Sequence, residues 1–123
     1  MLRDKNIPVI WRPLHEAAGN IYNYKNGKAW FWWGNDGAEA YKKLWIFIFD
    51  YFKTEGINNL IWVWTTQTKD NDFYPGDEYV DMVVRDMYPI NDASTTGNYY
   101  FGQYNTITTS YPSKMVAFSE CGN

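Results

Sequence analysis

Residues 59–65, Asn-Leu-Ile-Trp-Val-Trp-Thr, form an almost unbroken apolar run of strand length. A strand that alternates polar and apolar side chains needs cover on one face, whereas one that is apolar throughout needs cover on both. Strands of that kind belong to parallel sheets, whose neighbours are joined by crossovers of a dozen or more residues, usually helices. With 123 residues the chain has room for one domain and only a few such units.

The flanking sequence supplies them. Residues 7–14, rich in Ile, Val and Trp, read as a first strand whose polar end is His15-Glu16. Residues 17–34 carry Gly19, Asn20, Asn23, Asn26 and Gly27 and read as a loop, with the aromatic cluster Ala29-Trp30-Phe31-Trp32-Trp33-Gly34 inside it. Asn35 or Asp36 offers an N-cap for a helix over 38–55, where Tyr41, Leu44, Trp45, Ile48, Tyr51 and Phe52 recur at helical spacing and Gly56 closes the last turn. After the run at 59–65, residues 66–76 read as a loop and 79–88 as a third strand, with Val80, Met82, Val84, Asp86 and Tyr88 on one parity. A loop containing Asn91, Asp92, Ser94 and Gly97 leads to a helix over 99–111. Pro112 and Ser113 break it, and residues 115–119 form a fourth strand that delivers Glu120. The expected fold is α/β, with parallel strands and intervening helices.

Composition narrows the function. The net charge of -3, with eleven scattered Lys and Arg, leaves no footprint for nucleic acid. No apolar run approaches the roughly 20 residues of a membrane span. The lone Cys121 excludes an intrachain disulfide, and the single His15, with no second His or Cys nearby, makes no metal site. No P-loop or G-x-G-x-x-G is present to hold a nucleotide cofactor, and a Ser119-based triad lacks the G-x-S-x-G elbow. The opening Met-Leu-Arg-Asp-Lys has no secretory pattern. Seven Trp and eleven Tyr exceed what core filling usually draws on, which leaves two readings, an aromatic core or flat faces for pyranose rings.

Two carboxylates, Glu16 and Glu120, follow strands of one parallel sheet and so project from the same edge, where barrel enzymes carry their chemistry. A retaining glycosidase needs such a pair about 5 to 5.5 Å apart, one protonated to serve the leaving oxygen and one ionised to attack the anomeric carbon. Desolvation would raise the pKa of Glu16, and a phenol donated by Tyr88 would hold Glu120 ionised.

Arg12-Pro-Leu-His-Glu16, Trp30-Phe-Trp-Trp-Gly34, Asn59-Leu-Ile-Trp-Val-Trp64, Tyr74-Pro-Gly-Asp77 with Tyr79-Val-Asp81, Asp86-Met-Tyr88 and Ser119-Glu-Cys-Gly122 together resemble glycoside hydrolase family 26, mainly endo-β-1,4-mannanases. The resemblance implies part of a retaining (β/α)8 TIM barrel, about half of it: four parallel strands, corresponding to strands four to seven. It implies Glu16 as acid/base and Glu120 as nucleophile. His15 corresponds to the histidine beside the acid/base, Tyr88 to the tyrosine on the nucleophile, and Trp30 and Trp33 to sugar-contacting tryptophans. Arg12 is expected as a supporting arginine beneath Glu16, and Asp86 as the acid of its motif. Where many members continue from the glutamate into Met-Asn-Gly, this chain has Ala17-Ala18-Gly19-Asn20, so Ala17 and Ala18 inherit no role.

On this reading residues 1–123 are a single incomplete catalytic domain acting on a polysaccharide or oligosaccharide without a cofactor, with export to a secreted or periplasmic location implied by the resemblance. Half a barrel leaves two strand edges to be hidden by self-association or by the missing barrel half. Two other readings stay open: a β-glycanase acting on mixed-linkage β-glucan or β-1,3-xylan, and an inactive carbohydrate-binding fragment.

Overall fold

A computed structural model describes residues 2–88 and 93–122. Strand β1 (Val9–Trp11) is followed by helix α1 (Gly37–Thr54), strand β2 (Leu60–Thr65), strand β3 (Met82–Met87), helix α2 (Ala93–Ser110) and strand β4 (Met115–Cys121). The sheet runs β1-β2-β3-β4 with every neighbouring pair parallel. This is half of a (β/α)8 barrel, with helices in the crossovers.

Several boundaries differ from those expected. The first strand keeps only Val9–Trp11 of residues 7–14, because Pro8 and Pro13 have no N–H to give a ladder. The third begins at Met82 rather than 79, since Asp77–Tyr79 form a 3-10 turn and Asp81 spends its carboxylate on the Trp62 N–H, 2.7 Å away. Helix α2 starts at Ala93, so Ser94 and Gly97 are helical rather than loop, while Asn91 and Asp92 lie outside the described residues. Thr106 and Thr108 are accommodated within it by donating to carbonyls one turn back, Thr106 to Gly102 at 2.9 Å and Thr108 to Tyr104 at 3.1 Å. The fourth strand runs past 119 and includes Glu120.

Helix α1 ends in a Schellman motif: Gly56, at φ 70°, donates to Lys53 and Ile57 to Phe52. Its Tyr41 and Trp45 are buried, and Trp45 packs edge-on against Trp62 at 5.8 Å. Tyr51, expected on the core stripe, instead lies exposed and stacks on Phe47. The tryptophans thus divide. Trp45, Trp62 and Trp64 fill the core, whereas Trp30 and Trp32 remain exposed. Ala17 and Ala18 are also buried in this core. A Cβ on Gly34 would meet the Ala17 carbonyl oxygen at 1.9 Å, so the chain can cross there only as glycine.

Candidate active site

The site is assembled at the C-terminal edge of the sheet. A register shift between β3 and β4 decides which side chain faces it: Arg85 pairs with Phe118, but Asp86 pairs with Glu120. Ser119 is the extra residue of this bulge. Register partners in a parallel pair point to the same face, so the bulge pairs Glu120 rather than Ser119 with Asp86. Ser119 Oγ is left to donate to Asp86 Oδ1.

Arg12, just past β1, reaches across the sheet. Its Nη1 donates to both carboxylate oxygens of Asp86, at 3.0 and 2.9 Å, and to Thr65 Oγ1 at 3.3 Å, while Nη2 donates to Glu120 Oε1. The arginine expected beneath Glu16 is therefore hydrogen-bonded to the other two carboxylates of the site. Tyr88 donates its phenol to the second oxygen of Glu120, 2.8 Å away. The hydrogen bonds from Arg12 and then Tyr88 hold the Glu120 carboxyl below its ordinary range. In return, the bond to Glu120 raises the Tyr88 phenol.

Glu16 sits in a different environment. Leu14 and Glu16 adopt positive φ, 50° and 52°, which costs on the order of 1 kcal/mol or more at each such residue. Two neighbouring carbonyls are pinned against that cost: Tyr41 of α1 donates to Leu14 O at 3.2 Å, and Trp33 Nε1 to His15 O at 2.9 Å. The Glu16 side chain has one hydrogen-bond donor among the described residues, Gln67 Nε2 at 3.1 Å. Burial pushes its pKa up, the negative charges of Asp86 and Glu120 add to this, and Gln67 and Arg12 pull against it.

The aromatic segment contributes unequally. Phe31 and Trp33 stack at 4.5 Å, and the His15 ring lies against both, 4.8 Å from Phe31 and 5.9 Å from Trp33. Trp33 is thereby committed to holding His15. Trp30 is half exposed and packs over Gly19, whose Cβ would fall 2.8 Å from the Trp30 nitrogen. Trp32, which the sequence reading did not single out, is 68% exposed and meets Trp33 edge-on. Gln67 and Thr65 were also missed, and Ser119, weighed only as a nucleophile, was not read as a donor to Asp86. Gln67 stands two residues past the end of β2, so position at the C-terminal edge of a barrel strand was the available signal. No group of three or more His, Cys, Asp or Glu among the described residues could hold a metal ion, and no described helix is long and apolar enough to cross a membrane.

The fold is half of a parallel (β/α)8 barrel, and its C-terminal edge carries two carboxylates of divergent environment. Glycosyl hydrolase family 26 matches residues 1–123, and the chain belongs to that family. It is similar to a mannan endo-1,4-beta-mannosidase of Thermothelomyces thermophilus, 40% identical over 98% of this chain and 22% of that protein. It also resembles the solved family 26 domain of an endo-beta-mannanase/endo-beta-glucanase from Prevotella bryantii, with a TM-score of 0.89 and 47% identity over 98% of this chain and 38% of the other. A beta-mannanase from a symbiotic protist of the termite Reticulitermes speratus, solved with gluco-manno-oligosaccharide, gives a TM-score of 0.77 and 42% identity over 98% of this chain and 34% of that one. The chain thus spans well under half the length of each of these relatives.

Proposed function

We propose that this chain is the catalytic half of a retaining endo-β-1,4-mannanase, with Glu16 as acid/base and Glu120 as nucleophile. The observation that carries the reading is the opposed electrostatics of the two glutamates. Glu120 receives Arg12 and Tyr88 and stays ionised, while Glu16, half buried beside two other carboxylates, holds its proton more tightly. Glu120 would attack the anomeric carbon as Glu16 passes its proton to the departing glycosidic oxygen. The glycosyl-enzyme ester so formed is then hydrolysed by a water that gives its proton to the Glu16 carboxylate, restoring both groups. The mannanase names of the relatives support the choice of sugar. On this reading residues 1–123 are a single domain incomplete as a barrel, and further strands would complete the cleft.

Reducing-end release from mannan, glucomannan, lichenan and β-1,3-xylan tests the substrate. Glu120→Ala should abolish turnover of all substrates, whereas Glu16→Ala should keep activity on aryl β-mannosides whose leaving group needs no proton. Equal loss on both substrate types would sink the assignment of Glu16.

A further inference from the structure

Asp70 is a carboxylate buried to 1% exposure, outside the set that touches Glu120. Burial of this kind is expensive unless every lone pair is used. Asp70 Oδ1 accepts from Thr66 Oγ1 at 2.7 Å and Oδ2 from the backbone N–H of Gln67 at 2.8 Å. Thr66 Oγ1 in turn accepts from Thr68 N at 2.9 Å, and Thr68 Oγ1 donates to the Gln67 carbonyl at 2.6 Å. Both polar main-chain groups of Gln67 are therefore clamped, in a turn where Thr68 takes a φ of 67°. Asp side chains commonly brace loop turns through such local bonds. What this one fixes is the residue whose side chain reaches Glu16.

Resting on the reading of Glu16 as acid/base, we propose that Asp70 is a positioning residue that holds the Gln67 carboxamide as the hydrogen-bond donor to Glu16. A group that must be protonated in one half-reaction and ionised in the next cannot tolerate unlimited elevation of its pKa. Glu16 is faced by Asp86 of β3, by Glu120 of β4, by the Tyr88 phenol after β3, and by Arg12 after β1, whose donors are already shared between the two acids. A donor from Gln67 favours the ionised form directly and sets a ceiling on the elevation. Asp70 itself is faced by Arg85 and by the phenols of Tyr22, Tyr41 and Tyr111.

Asp70→Asn releases the Gln67 donor, which raises the Glu16 midpoint. The experiment is a carbon-13 NMR titration of the Glu16 carboxyl in the intact chain, with melting temperature followed in parallel. Gln67→Met is expected to raise the midpoint by about one pH unit. Asp70→Asn should move it in the same direction, and the double variant no further than Gln67→Met alone. An unmoved or lowered midpoint in Asp70→Asn, with only the melting temperature reduced, would overturn the positioning role, as would additivity in the double variant. If Asp70→Asn does not fold, Thr66→Val, which strips Asp70 of its hydroxyl donor, takes its place with the same expected and overturning results. The titration reads Glu16 without turnover, so an inactive wild-type chain would bear on the proposed function and leave this test intact.

Discussion

Arg12 of the first strand's end donates to Glu120 of the fourth strand, 108 positions later, and on the way grips Asp86 of the third. One guanidinium thus joins the two outer strands of the half-barrel above their carboxyl ends. The Asp86 side chain has no exposure, and its charge is tolerable only because Arg12 and Ser119 satisfy it. Arg12→Met should leave a buried carboxylate unpaired and cost about 3 kcal/mol of stability. Arg12→Lys should recover part of this, because an ammonium cannot present the planar fork that reaches both acids. Chemical denaturation of the three proteins at neutral pH measures the ordering, and a full rescue by lysine would contradict it.

Glu16 gives a prediction of the opposite kind. Its folded pKa is raised above the ordinary 4.5, so the folded state takes up its proton more readily than the unfolded chain does. Folding is therefore unpenalised below 4.5, and the penalty grows as pH rises toward the folded pKa and is constant above it. Glu16→Gln, which keeps an acceptor for Gln67, should stabilise the protein at pH 7 by up to about 1 kcal/mol once solvent screening is allowed for. The gain should disappear below pH 4.5. Thermal melts from pH 4 to 8 would show it, and a gain independent of pH would point to a cause other than titration.

Tyr88 and Gly122 are coupled by space. A Cβ on Gly122 would lie 2.6 Å from Tyr88 Cε1 and 2.7 Å from Cδ1, closer than such atoms approach. Gly122→Ala should therefore push the phenol off Glu120 and mimic Tyr88→Phe. In either variant Glu120 loses one of its two donors, its pKa rises, and the acidic limb of the pH–activity profile moves to higher pH. A fall of roughly tenfold in kcat/KM is expected from the loss of one such bond. Combining both substitutions should add little to either. A multiplicative loss in the double variant would mean that Gly122 acts elsewhere.

The order of elements, and the placement of Glu16 and Glu120 at the C-terminal edge of the sheet, were legible because strand ends, aromatic motifs and helical periodicity are local patterns. What was not legible depends on pairing. The bulge at Ser119 turns Glu120 toward Asp86 only through its register with β3, and nothing within the sequence 115–121 signals the extra residue. Arg12 shares parity with Glu16 along the chain, yet its long side chain follows the nearest uncompensated charges, which lie on β3 and β4. The tryptophans were ambiguous for a related reason. Trp33 and Trp30 belong to one motif, but Trp33 donates to the His15 carbonyl while Trp30 lies over Gly19. The short first strand was foreseeable from Pro8 and Pro13, whose missing N–H groups limit pairing to the residues between them.

The sheet itself supplies the last prediction. Among the described residues, β1 and β4 each pair on one side only, and Ile10, Met115 and the stacked Phe47 and Tyr51 are all more than half exposed. A parallel half-barrel exposes backbone donors and acceptors at both edges, which a second copy or the remaining strands of a longer polypeptide would cover. The 123-residue chain by itself should therefore associate in a concentration-dependent way at micromolar levels and bind an apolar-surface dye. Placing lysine at both Ile10 and Met115 should weaken that association, since charge on edge strands opposes edge-to-edge pairing. Sedimentation velocity across a concentration series, with dye fluorescence on the same samples, measures both effects. A stable monomer with no dye binding would show that these edges are already protected.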